Sequence, residues 1–279
     1  STRKESSAAS DVYKRQEAEF YASEVIEGKA GFYDLESIDG LIANVFGKAR
    51  YSVETIFCID NDPIDNDRQH ETNFRPEFPG QMLMSYPYTT TDESAITSLA
   101  EDLWDDYTKI YVETVENIYP DEKDARRREF WFQLGELTYP VTEWDDEAGD
   151  FVVVRREKSP CAHIAKWRDV IIQENTQIVQ DRPVIATDGD WVVWRLADLI
   201  YLIAECRPFC LLTTAVDDLD RVRARAELSG YDGLTDKESL RQEVFNERRR
   251  ELFGEGQFYF DIVRNRYHKK YLRGNCQTL

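Results

Sequence analysis

The stretch from residue 191 to residue 264 restricts the fold more than any other part of the chain. It reads as three successive helices. Residues 191–205 (WVVWRLADLIYLIAE) are apolar almost all round, broken only by Arg195, Asp198 and Glu205 on one narrow stripe at helical spacing. A helix of that kind belongs at the centre of a core. Residues 215–228 place Ala215, Leu219, Val222 and Ala226 on one face and turn Arg221, Arg223 and Arg225 away from it. Residues 239–253 repeat the pattern with Leu240, Val244 and Leu252, and a break at Gly254 and Gly256 precedes Phe258-Tyr259-Phe260-Asp261. The charged run at 247–251 (ERRRE) is expected to form a helix face whose internal ion pairs are worth roughly a few tenths of a kcal/mol each, with a structural role.

Upstream, residues 17–27 carry Phe20, Ala22, Val25 and Ile26 at helical spacing, and Gly28 is the expected stop. Residues 31–46 give a weaker helical pattern. Residues 51–59 (YSVETIFCI) suit a strand or a buried extended segment. Residues 68–92 show no periodicity yet carry Phe74, Phe78, Tyr86 and Tyr88, which suits a functional loop. Residues 92–118 predict a helix with Trp104, Tyr107, Tyr111, Val115 and Ile118 on one face. A hairpin is expected from 141–144 and 151–155 about the acidic turn 145–150, and residues 181–190 read as a polar linker. Residues 1–16 are polar and aperiodic. They read as a non-native leader, leaving 17–279 as one incomplete domain of a longer protein.

Several segments together resemble the SusD/RagB family. They are Arg195-Leu196-Ala197-Asp198, Ala204-Glu205, Val222-Arg223-Ala224-Arg225-Ala226, Glu247-Arg248-Arg249-Arg250-Glu251-Leu252, Glu255-Gly256 and Asp261. Residues 22–29, Glu54-Thr55-Ile56-Phe57, Asp124-Ala125-Arg126 and Ile164-Ala165-Lys166-Trp167 match further pieces in the same order. The resemblance implies a mainly α SusD-like fold with TPR-like helix pairs, around 17–46 and 191–228, and one small β-hairpin. It implies a surface-exposed outer-membrane lipoprotein that binds oligosaccharides without catalysis. It also implies a SusC-like TonB-dependent transporter as partner, and a lipid on an N-terminal cysteine that this chain lacks. Part of the family's site comes from chain that precedes these residues.

Composition narrows the chemistry. The formal charge of −19, from 54 acidic and 35 basic side chains, repels phosphate backbones and argues against a nucleic-acid partner. No apolar run is long enough to span a bilayer. Cysteines 58, 161, 206, 210 and 276 lack zinc or disulfide spacing and read as packed thiols. Cys161 and His163 form a metal or catalytic pair only as a remote alternative. No cofactor is expected. Calcium is the alternative at residues 60–71, where Asp60, Asp62 and Glu71 match a binding loop but the sixth-position glycine is missing, so a solvated turn is the simpler reading. With so many acids no carboxylate pair stands out, so an enzyme ranks behind a binding protein, and a helical protein-interaction scaffold is the rival reading.

Sugar rings stack their C–H faces on exposed aromatic side chains, so a binding protein places Tyr or Trp on loops over a rigid scaffold. Tyr86 and Tyr88 are alternate residues that face one way if the loop is extended. The resemblance raises these two and Trp104, although the helical stripe suits Trp104 to a core. Trp144, beside the hairpin turn, completes the candidates.

Overall fold

The computed structural model describes residues 2–49, 51–60, 110–172, 184–187, 189–207 and 214–272. In chain order the elements are α1 (Thr2–Ile26), α2 (Ile38–Gly40), a π-helical turn (Leu41–Val45), β1 (Thr55–Ile59), β2 (Ile110–Tyr111), α3 (Val112–Ile118), α4 (Ala125–Glu129) and β3 (Trp131–Phe132). There follow β4 (Thr138–Asp145), β5 (Asp150–Lys158), β6 (Cys161–Ile164), β7 (Val170–Ile172), β8 (Val184–Thr187) and β9 (Trp191–Arg195). The chain then becomes helical, with α5 (Leu196–Cys206), α6 (Ala215–Arg225), α7 (Lys237–Glu251), α8 (Phe258–Arg264) and α9 (His268–Tyr271). The class is mainly α, with short strands in small sheets. Two compact units emerge: Ser1–Leu35, Val53–Phe57 and Val193–Leu279 form the first, and Glu36–Ser52 with Cys58–Val192 the second.

In the first unit α5 is the central helix, packed by α1, α6 and α7. Leu196, Ile200, Tyr201 and Ala204 of α5 meet Leu219 and Val222 of α6 and Val244 of α7, all 1% exposed or less. The apolar character of α5 therefore buries against three neighbours, as its composition predicts. Its start differs from expectation. Residues 191–195 form β9, paired with β1, and the helix begins only at Leu196. Two Trp and two Val favour extended backbone once a partner strand exists, and the Leu196 N–H donates to the Glu54 carbonyl at 2.9 Å. α7 begins at Lys237, where the Asp236 side chain accepts from the backbone N–H groups of Glu238 and Ser239, both at 3.1 Å. α1 starts at Thr2 rather than near Glu17 and ends before Gly28, whose φ of 78° suits a glycine.

In the second unit the helix expected over 31–46 is confined to α2 and the π turn. Ser37 caps α2 by accepting from Gly40 N–H at 3.0 Å, and Leu41, Val45 and Phe46 are buried. Of the helix expected over 92–118, the described part splits. Ile110 and Tyr111 pair antiparallel with Ala162 and Cys161, and the helix α3 begins at Val112. The strand order β2-β6-β3 buries every residue of β6, including Cys161 and His163. The segment read as a polar linker instead contributes β8, antiparallel to β7. The hairpin β4–β5 is as expected, longer by a few residues at each open end, with a bulge between Val141 and Thr142.

Lys166, from the motif segment 164–167, is fully buried in the second unit. Its ammonium lies 4.4 Å from the Phe130 ring centroid and 4.7 Å from that of Phe46, so aromatic faces hold the charge.

Candidate functional site

The hairpin presents the first candidate surface. Asp145 accepts through Oδ1 from the N–H groups of Glu147 (2.8 Å) and Ala148 (3.0 Å), and its carbonyl accepts from Gly149 N–H at 2.8 Å. Gly149 takes φ 66°, which closes the turn without a Cβ penalty. That turn sets the register Trp144↔Phe151. The two rings meet edge to face, with centroids 5.3 Å apart and planes at 77°. Both stay exposed, 55% for Trp144 and 63% for Phe151. The Trp144 indole N–H donates to Asp146 Oδ1 at 3.0 Å, which fixes the ring beside an acceptor-rich turn. The result is an oriented apolar face with carboxylates at its edge, the chemistry that holds a flat polyhydroxylated ligand.

A second ring pair lies in the first unit. Phe57 on β1 and Trp194 on β9 have centroids 5.8 Å apart and are each about half exposed. Sequence reasoning missed Trp194 because residues 191–205 were read as one buried helix. It also missed Phe151, although a residue flanking the turn opposite Trp144 was a usable signal. Of the other candidates, Tyr86, Tyr88 and Trp104 lie outside the described residues, as do Asp62 and Glu71 of the calcium loop. Among the described residues no group of three His, Cys, Asp or Glu side chains is placed to hold a metal ion, and no helix is long and apolar enough to cross a membrane.

The charged motif residues turn out to be scaffold. In the first unit Arg195, 1% exposed, donates to Glu54 Oε1 at 2.7 Å and to both carboxylate oxygens of Glu255, at 2.7 and 2.8 Å. It also lies 2.8 Å from Glu251 Oε1. Arg225 bridges the same acids, Glu54 Oε2 at 2.6 Å and Glu251 Oε1 at 2.5 Å. A second cluster joins Arg248 to Asp261 (2.9 Å) and Asp198 (2.7 Å), and Arg264 to Glu205 (2.9 Å). The run 247–251 has the structural role expected of it but reaches beyond its own helix: Glu247, Arg248 and Glu251 are buried and pair with other elements. Arg250–Glu247 is an internal i,i+3 pair, at 3.2 Å. Arg225, expected to point away from the core, has a side chain only 4% exposed.

Among these acids Glu205 is poorly suited to proton transfer. Burial pushes the Glu205 carboxyl up, but Arg264, Arg248 and Arg15 outweigh it and hold it at about 2. A general acid working near neutrality needs the opposite shift. The depressed value also predicts a pH effect. Glu205 stabilises the fold above its usual value of 4.5, and that contribution fades as pH falls towards 2. It is worth roughly 3 kcal/mol at about 1.4 kcal/mol per unit. Urea midpoints at pH 5 and pH 2.5 are expected to differ less in Glu205→Gln than in the unsubstituted chain; an equal difference would remove Glu205 as a source. Asp218 acts with the opposite sign. Burial lifts it to about 6 against the pull of Arg207, so its contribution is present below its usual 3.8 and lost as pH rises through 6.

The described residues thus combine a helical scaffold, buried ion clusters and exposed ring pairs. Residues 54–277 match the family model described as the SusD family, and the chain belongs to that family. No curated protein sequence matches the chain significantly. Among solved structures it is similar to a SusD homolog from Bacteroides thetaiotaomicron VPI-5482, with 21% identity and a TM-score of 0.60 over 92% of this chain and 46% of that one. It is also similar to surface glycan-binding protein A from Bacteroides thetaiotaomicron, with 18% identity and a TM-score of 0.56 over 92% of this chain and 51% of that one. The same protein in complex with laminarihexaose matches with 17% identity and a TM-score of 0.56 over 96% of this chain and 54% of that one. The chain spans about half the length of these structures.

Proposed function

We propose that the protein to which this chain belongs captures oligosaccharides at the cell surface without cleaving them. It passes them to a SusC-like TonB-dependent transporter and is held to the outer membrane by a lipid on an N-terminal cysteine. The observation that carries the reading is the exposed Trp144–Phe151 ring pair, oriented by an acceptor-rich turn, in a member of the SusD family. A structural relative solved with laminarihexaose supports the ligand class. Tyr86, Tyr88 and Trp104 belong to the same proposal as further stacking residues.

Affinity electrophoresis against a panel of glycans, laminarihexaose included, tests it. The full-length parent is expected to be retarded by at least one glycan, and Trp144→Ala to weaken that interaction about tenfold, the worth of roughly 1.4 kcal/mol. Tyr86→Ala/Tyr88→Ala is expected to weaken it as well. Chelation with EDTA is expected to leave retardation unchanged, since the proposal needs no metal. Retardation by no glycan, or cleavage of the glycan during the run, would end the reading.

A further inference from the structure

The second unit holds a cavity of about 680 Å³ that the ring-stacking reading does not use. That volume falls within the range of small-molecule sites, roughly 300–1,000 Å³. Trp131 and Phe132 of β3 line it, together with Arg127, Arg128, Glu129 and Arg168. The two aromatic rings are buried, 1% and 7% exposed, so neither offers a face on which a ligand could stack. Recognition there falls to the polar groups.

Arg127 and Arg168 are held in place by backbone carbonyls, and Arg128 by the Glu129 carboxylate. Arg127 donates through NH1 to the Tyr119 carbonyl at 3.1 Å. Arg168 donates through Nε to the Ala165 carbonyl at 3.0 Å and through NH2 to the Glu129 carbonyl at 2.5 Å. The Glu129 carboxylate accepts from Arg128 Nε at 2.8 Å and from Arg168 NH2 at 3.3 Å. Guanidinium groups fixed this way lose little freedom when a ligand arrives. Glu122 and Glu136 also line the cavity, so its wall holds three guanidiniums and three carboxylates, and Arg127 donates in addition to Glu116 Oε1 at 3.1 Å. A balanced set favours neither an anion nor a cation. It suits hydroxyl groups, each of which can donate to a carboxylate while accepting from a guanidinium.

The cavity's loop carries a further mark. Gln133 lines the cavity with φ 39°, in the left-handed region a non-glycine residue rarely adopts. Such backbone costs about 1–3 kcal/mol and persists where the surrounding structure enforces it, ligand clamps among the common places.

We infer that this cavity is a second saccharide site, taking a short neutral sugar through its hydroxyls rather than by stacking. The ligand class rests on the saccharide reading proposed above; the site is a different one. The two are separated by following the indole N–H resonances of the ¹⁵N-labelled full chain during titration with laminaribiose or glucuronic acid. Trp131→Phe and Trp144→Phe assign the two signals. Laminaribiose is expected to shift the Trp131 resonance in the unsubstituted chain and equally in Trp144→Ala. Gln133→Gly relaxes the backbone and removes the amide. It is expected to fold at least as stably and to weaken the Trp131 response about tenfold while leaving the Trp144 response intact. Glucuronic acid is expected to act more weakly than laminaribiose. A Trp131 resonance that laminaribiose leaves in place overturns this inference, as does glucuronic acid binding more tightly. A still Trp144 resonance counts against the ring-stacking reading instead.

Discussion

Replacing Arg195 by methionine is expected to lower folding stability by about 4 kcal/mol, the range found when one member of a buried ion cluster is removed. Arg195 is 1% exposed and faces Glu54 and Glu251, both fully buried, and Glu255. The substitution keeps the bulk of the side chain but deprives Glu54 and Glu251 of one of their two guanidiniums, leaving Arg225 alone to balance both. Arg195→Lys is expected to recover little, since one ammonium cannot serve three carboxylates in the fork geometry that guanidinium allows. Arg155→Met is the control. Arg155 lies on the exposed hairpin with its side chain 55% exposed, 2.7 Å from Glu157, and its loss is expected to cost less than about 1 kcal/mol. Urea midpoints compared at constant slope measure all three. A cost for Arg195→Met no larger than that of the control would mean the cluster contributes nothing net.

In the second unit Asp124→Ala is expected to cost about 3–5 kcal/mol, because two losses coincide. Asp124 is the N-cap of α4, accepting from Arg126 N–H at 3.0 Å. The same carboxylate takes both Nε and NH2 of Arg126 at 2.8 Å, with Arg126 fully buried. Asp124→Asn preserves a cap but removes the charge opposite the guanidinium, so most of the cost is expected to remain. The double substitution Asp124→Ser with Arg126→Met retains a capping oxygen and removes both charges. It is expected to be milder than Asp124→Ala alone, as an apolar replacement of a complete buried pair is often near neutral. If the double variant is the worse of the two, the charge argument fails and packing of the Arg126 stem explains the effect.

These two sites also show why the family resemblance was readable. Arg195, Glu205, Glu247, Arg248, Glu251 and Asp261, with Glu54, Asp124, Arg126 and Lys166, carried the resemblance as letters in a pattern. All are buried in the structure. A buried charge needs a partner of opposite sign or an aromatic face at one defined place. The pattern therefore recorded a set of tertiary contacts while looking like surface charge.

The hairpin was legible for a simpler reason. Its turn is closed by local bonds from Asp145 and by Gly149, so its register, and the opposition of Trp144 and Phe151, depend on adjacent residues alone. The helix interiors from Leu196 to Glu251 were legible on the same ground, since period and capping are local properties. Residues 191–195 were not. Their apolar run fits the continuation of a helix equally well, and the choice fell to β1, distant in sequence, which supplied a partner strand. The link between Arg195 and Glu54 spans 141 positions, and no local rule selects Glu54 among the chain's 54 acids. Short-range chemistry thus settled the interiors of α5 to α7 and the turn. Long-range pairing settled which charges are interior, which tryptophans face solvent, and where the second unit holds a cavity, because burial and cavity shape depend on how distant segments close on one another.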